Sequence, residues 1–298
     1  MNFSRAQSCK RLAATLVGLA AALTPLAASA TPASLYYERT LMVAAGDRCD
    51  LFTPSVAAAL LASGQQAKGA ALRAGATAAS LQQVEARARA TAAGVPCNAP
   101  DLAVAAERVK AGFSGYTKMT AMDFPGAFGS WRADRGHPKR VGAAWRLSQQ
   151  GRLGMAPVVF GMAADTSPPT LTAVVASVPA LTAAGARLVV RDADLVASAY
   201  IDPRKTGLSG RVAPRSSSRV FLAMSRGVAP VGLLPVGATT GVAFRFPDSA
   251  ARALERLDPR EAVVLELVYP TRTGERVEST LLEVGDFAAG RAFLAAQN

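Results

Sequence analysis

Residues 263–282 read VVLELVYPTRTGERVESTLL. Two runs, Val263–Val268 and Arg276–Leu282, flank Thr271-Arg272-Thr273-Gly274, and this order is a β-hairpin signal. Similar punctuation recurs upstream. Strand candidates are Val141–Leu147, Ala156–Met162, Leu171–Val178, Ala186–Val190, Arg219–Ala223 and Val242–Phe246. Turn residues separate them, among them Ser167-Pro168-Pro169 and Gly207 with Gly210. Asp248 to Leu257 has the pattern of a short amphipathic helix stopped near Pro259, and Asp286 is placed to cap a last helix running to Ala296. Many short strands with few helices predict an antiparallel sandwich or barrel.

Toward the N-terminus the period changes. Residues 34–119 read as helical. A short helix is expected around Leu35 to Ala45. Thr53-Pro54 is a cap followed by proline at the first helical position. The helix it opens puts Val56, Leu60, Leu61 and Leu72 largely on one side. Ser80 to Ala93 is a second alanine-rich segment, ended by Gly94-Val95-Pro96. Pro100-Asp101 opens another, whose Leu102, Ala105, Val109, Phe113 and Tyr116 make a narrow apolar seam. Alanine is the strongest helix former but buries little area, so this core is thin. The fold class is therefore α+β: an alanine-rich helical bundle over 31–122, a connecting segment over 123–140, and a β-rich domain with a C-terminal helix over 141–298. The connecting segment holds Phe124-Pro125-Gly126, Phe128 and Trp131. It is too apolar for a free linker and should dock on one of the halves.

Residues 1–30 read as a secretory signal peptide. Arg5, Lys10 and Arg11 form a positive n-region, Leu12 to Leu23 is an uncharged apolar run, and Ala28-Ser29-Ala30 is a small-x-small cleavage site. The run is shorter than the roughly 20 residues of a membrane span. Export to the periplasm or beyond, with cleavage after Ala30, is expected. So is a mature chain without a transmembrane segment, and without a lipid anchor because Cys9 precedes the apolar run. Cys49 and Cys97 then lie where disulfides persist. One is expected after the first helix and the other in the turn before the last long helix. Their placement predicts a bond between two helix ends.

The chain has 33 basic and 21 acidic residues among 298. Taking Arg5, Lys10 and Arg11 from the 33 leaves 30 against 21, a net +9. Such a balance favours anionic partners, and for an exported protein an anionic envelope component rather than nucleic acid. A composition rich in alanine and arginine and poor in lysine also fits a high-GC source, in which case the charge is compositional. The acids are unevenly spread. None lies between Asp202 and Asp248, an interval holding Arg204, Lys205, Arg211, Arg215, Arg219, Arg226 and Arg245. A second acid-free interval, Arg135 to Ala164, holds Lys139, Arg140, Arg146 and Arg152. Arginine forks match phosphate and carboxylate. Arg204, Lys205, Arg211, Arg215 and Arg219 are the candidate anion-binding residues, set against a solvated basic surface with no ligand.

No catalytic constellation is legible. His137 is the sole histidine and sits in the charged stretch Asp134–Arg140. A Ser-His-Asp triad needs a held base and a nucleophile elbow, and one histidine with two cysteines does not fill a zinc site. Ser114 and Lys118 lie four apart near a helix end but lack the companion motifs of serine–lysine enzymes. Asp192, Asp194 and Asp202 are too sparse for a typical calcium loop. Gly64, Gly69 and Gly75 are isolated helix or turn glycines. No phosphate-binding glycine loop and no dinucleotide fingerprint occur, so no cofactor or metal is expected.

Near the C-terminus, Asp258-Pro259-Arg260-Glu261, then the hairpin, then Gly285-Asp286-Phe287-Ala288-Ala289-Gly290-Arg291-Ala292-Phe293-Leu294 resemble the end of the invasion-associated locus B family of exported bacterial proteins. The resemblance covers about the last fifty residues. It implies an envelope-associated β domain without known catalysis. The family usually carries cysteines in this region, and this chain has none there. The expected function is a noncatalytic exported binding or scaffold protein, its basic β domain contacting an anionic envelope component or a protein partner. The alternatives are a hydrolase acting on an envelope polymer and a structural component of a secreted assembly.

Overall fold

The structure is a computed structural model and describes residues 31–136, 142–164, 168–176 and 182–295. Residues 1–30, expected to be a signal peptide, and His137, Lys139 and Arg140 lie outside them. Four helices come first: α1 (Pro32–Cys49), α2 (Pro54–Arg73), α3 (Ala78–Gly94) and α4 (Pro100–Lys118). Each has a local cause. Thr31 caps α1, its hydroxyl accepting from the Ser34 amide at 3.2 Å, and Thr77 caps α3 in the same way at 3.0 Å. Pro32, Pro54 and Pro100 occupy first positions, where a missing N–H costs nothing. The first helix is longer at both ends than expected because Thr31 and Pro32 start it early.

The strands are β1 (Ala121–Pro125), β2 (Ser130–Asp134), β3 (Ala144–Leu153), β4 (Ala156–Ala164), β5 (Thr170–Val175), β6 (Gly185–Arg191), β7 (Ser218–Leu222), β8 (Ser225–Val228), β9 (Val242–Arg245), β10 (Ala262–Thr271) and β11 (Gly274–Glu283). Helix α5 (Asp248–Glu255) precedes β10, and α6 (Phe287–Ala295) follows β11. Every strand expected upstream of the hairpin is present with shifted ends. The hairpin itself closes with Thr271 opposite Gly274.

All pairing is antiparallel. A seven-stranded sheet runs β1-β2-β3-β4-β5-β9-β8, and a four-stranded sheet runs β11-β10-β6-β7. The fold is α+β with two open sheets, so the barrel alternative does not hold. The inner faces supply one core. Phe124, Trp131, Leu147, Phe160, Leu171 and Phe244 come from the larger sheet, and Leu188, Val263, Leu265 and Leu267 from the smaller. Alternate residues of a strand face the same side, which is why Val263, Leu265 and Leu267 are all buried. Helices α5 and α6 add Leu254, Phe287 and Phe293 to this core.

Two sequence expectations change. Residues 123–140 are not a connector, since β1 and β2 are built there, and Phe124 and Trp131 lie at the centre of the core. A Gly-, Pro- and aromatic-rich stretch disguised two five-residue strands. Nor are the halves separate, because residues from Thr31 onward cluster as one compact unit. Helix α6 packs on α2. The Tyr116 ring of α4 meets the Phe293 ring of α6 edge-on at 5.5 Å, and the Arg260 guanidinium donates to the Leu72 carbonyl at 3.2 Å. The small alanine-rich faces let the C-terminal helix approach α2 closely enough for these contacts.

Candidate functional site

The disulfide is present. Cys49, the last residue of α1, bonds Cys97, with Cα atoms 5.5 Å apart. It ties the end of α1 to the turn between α3 and α4, and the Arg48 guanidinium donates to the Val95 carbonyl beside it.

Arg219 is on β7, and Arg204, Lys205, Arg211 and Arg215 fall on the long excursion between β6 and β7. Asp202 organises its middle: its amide donates to the Gly210 carbonyl at 2.7 Å, and its carboxylate accepts the Arg204 amide at 2.9 Å. Arg204 and Lys205 are exposed there, and among the described residues their side chains form no ion pair. The other three are engaged elsewhere. Arg211 donates to the Arg260 carbonyl at 3.1 Å and lies over the Phe128 ring at 4.8 Å. Arg215 pairs with buried Glu266 of β10. Arg219 pairs with Asp192 at 2.9 Å and Asp194 at 3.2 Å, and Arg256 reaches Asp194 as well.

The acid-free interval in the sequence is therefore not acid-free in space. Two of its arginines, Arg215 and Arg219, meet carboxylates that lie outside the interval. Partial desolvation pushes Asp192 up, but the Asp194 amide and the Arg219 guanidinium outweigh it and hold the carboxyl below its ordinary value. The Arg256 guanidinium does the same for Asp194. These aspartates thus serve two arginines. Among the described residues no group of three or more metal-ligating side chains occurs. The Ser114 hydroxyl donates to the Ala111 carbonyl at 2.8 Å, the ordinary bond of a serine within a helix.

What sequence reading missed is apolar. Strand β7 is one edge of the smaller sheet, and β8 is one edge of the larger. Only Ala223 and Met224 join them, so one ribbon borders both sheets. Along it Val220, Leu222, Met224 and Val228 are exposed by 43%, 63%, 65% and 84%. All are even-numbered, while Phe221 and Ala229 between and beyond them are buried. The ladder assigns the backbone too. Asp192 donates to the Ser217 carbonyl and Ala223 to the Ala186 carbonyl, both at 2.9 Å, so odd residues of β7 bond β6. The N–H and C=O of Val220 and Leu222 then point away from the sheet. On β8 the Ala229 amide bonds the Gly241 carbonyl at 2.9 Å, and by the same alternation Val228 turns its backbone groups outward. The signal in the sequence was the unbroken apolar run Val220-Phe221-Leu222-Ala223-Met224, which does not itself say which face is buried.

The residues that carry the C-terminal resemblance form a polar joint. Glu261 accepts Arg191 at 2.6 and 2.9 Å, the Tyr200 amide at 3.0 Å and the Asp258 amide at 3.0 Å. Asp258 grips Arg260 at 2.9 and 3.0 Å. Asp286 does not cap α6 with its side chain but binds Arg73 of α2. Glu283 has no guanidinium. Its carboxylate accepts the amides of Ala127, Phe128 and Gly129 at 2.7–2.9 Å. A Cβ on Gly126 would stand 2.5 Å from that carboxylate, so the β1–β2 turn requires glycine there. The carboxylates of Asp258, Glu261, Glu283 and Asp286 are each hydrogen-bonded within the fold, which makes the joint a structural device. No protein family, curated protein or solved structure matches this chain.

Proposed function

We propose that the chain is an exported, noncatalytic binding or scaffold protein of the cell envelope, and that it engages a protein partner through the β7–β8 edge. One observation carries the choice of a protein over an anionic polymer. Arg211, Arg215 and Arg219 are already engaged inside the fold, whereas the edge shows four exposed apolar side chains and the outward-turned backbone groups of Val220, Leu222 and Val228. Monomeric proteins usually blunt such edges with charge or proline. The complement is an extended segment with apolar residues at alternate positions, added as a further strand. Export is supported by the pattern of residues 1–30 and by the disulfide. The C-terminal resemblance points to the same compartment.

The test is retention of the purified mature protein on its own envelope fraction, with crosslinking from the ribbon and a salt titration. Leu222→Lys and Val228→Lys should abolish retention without lowering thermal stability, and salt should matter little. Crosslinks between two copies, or a dimer in solution lost with the same variants, would replace the partner by a second copy. Retention that falls steeply with salt and is lost in Arg204→Glu/Lys205→Glu, but not in the ribbon variants, would overturn this reading in favour of an anionic envelope component.

A further inference from the structure

A cavity of about 150 Å³ opens between α1, α2 and α3, away from the β7–β8 edge in sequence and unrelated to it in chemistry. Its charged lining is Arg39 from α1, Lys68 from α2, and Glu85 and Arg89 from α3. Leu61, which helical spacing assigns to the buried side, is instead 44% exposed and lines the cavity. Helix α2 is covered on several sides, and this cleft is where its covering stops.

The acid is already committed. Glu85 accepts the Tyr36 hydroxyl at 2.8 Å and the Arg89 guanidinium at 2.9 Å. Burial pushes Glu85 up, but those two donors and nearby Lys68 outweigh it and keep the carboxylate ionised. Arg39 and Lys68 have no carboxylate partner among the described residues. Both are half-buried and steadied by rings, Arg39 at 5.2 Å from the centre of Phe113 and Lys68 at 5.9 Å from that of Tyr36. Two held cations line one small cavity whose one lining carboxylate, Glu85, is already engaged by Tyr36 and Arg89, an arrangement that folding alone does not require.

We propose that this cleft binds the phosphoryl group of a phosphomonoester. Three cations against one carboxylate leave two positive charges, and a phosphomonoester carries about −1.5 to −2 at neutral pH. A lone carboxylate ligand would leave one of them unmatched. The guanidinium fork of Arg39 suits phosphate oxygens, and Lys68 adds a point charge. The volume corresponds to about five waters at roughly 30 Å³ each, which admits a phosphoryl group and leaves the rest of its carrier outside. That carrier is either a small soluble ester or a lipid whose headgroup is presented by a membrane.

Calorimetry on the mature protein with inorganic phosphate and with glycerol phosphate tests the soluble source. Flotation with phosphatidylcholine vesicles, with and without phosphatidic acid, tests the lipid source. Acetate serves as the monoanion control. Saturable binding in either arm, with acetate inert, is expected. Arg39→Met and Lys68→Met keep the aliphatic stems, and each should weaken binding roughly tenfold or more, the worth of one charge-assisted hydrogen bond. Glu85→Gln should tighten binding, a direction that general damage to the helices would not produce. Absence of binding in both arms overturns the proposal, as does unchanged affinity in the Arg39→Met/Lys68→Met double variant with a wild-type melting temperature. Neither result bears on the β7–β8 edge.

Discussion

Arg73 and Asp286 hold each other through two parallel hydrogen bonds of 2.9 Å across 213 residues of sequence. The pair joins the last residue of α2 to the residue that precedes α6, and so helps to tie the N-terminal helices to the C-terminal element. Burial raises the Asp286 carboxyl, the Arg73 fork lowers it, and Glu283 nearby raises it again; the net direction is upward.

Arg73→Met should therefore destabilise the protein by about 3–5 kcal/mol at neutral pH, the usual cost of leaving one member of a buried pair alone. The folded carboxyl of the variant is raised further above its unfolded value. A raised acid adds no penalty below its unfolded pKa; the penalty grows as pH rises above that value and is complete once pH has passed the folded one. Chemical denaturation at a series of pH values should show wild type and variant converging in acid and diverging toward neutrality. A gap independent of pH would mean that the pair is not where the energy lies.

Two helix glycines should respond in opposite directions. Gly69 sits against the pair: a Cβ there would lie 2.2 Å from the Asp286 carboxylate. Gly112 of α4 has nothing within 4 Å. Alanine in a helix normally stabilises by about 0.5–1 kcal/mol relative to glycine. Gly112→Ala should show that gain in its melting temperature, and Gly69→Ala should lose stability because the carboxylate must leave Arg73.

The disulfide closes a loop spanning 48 residues. Chain-entropy arguments put the stabilisation from such a loop at about 4 kcal/mol. Cys49→Ser/Cys97→Ser should melt well below the oxidised wild type and together with the reduced wild type. Melting curves with and without reductant check both halves of that statement.

Reversing the basic excursion should not be neutral to the fold. Arg215→Glu would face buried Glu266, and Arg219→Glu would face Asp192 and Asp194. Both should lower the denaturant midpoint. Arg204→Glu and Lys205→Glu should leave it unchanged, because those side chains have no acid partner among the described residues. Equal midpoints for all four variants would show that the pairing is weak in solution.

The sequence by itself determined whatever depends on neighbours along the chain. Thr53-Pro54 and Pro100-Asp101 mark helix starts because caps and prolines act within one turn. Thr271 to Gly274 marks a hairpin because its two strands are local. Cys49 and Cys97 could be paired because each lies at the end of a legible helix. Tertiary structure decided the rest. The arginines between Asp202 and Asp248 looked unopposed, but charges act through space, and Asp192 and Asp194 arrive from the turn after β6 and Glu266 from β10. Leu61 satisfied a helical stripe, yet burial depends on what a neighbouring helix covers. The edge formed by β7 and β8 became an exposed apolar row only because strand order left both at the borders of their sheets. Asp286 had the position of a cap and became instead the partner of Arg73, since α6 packs on α2 and no local rule encodes that meeting.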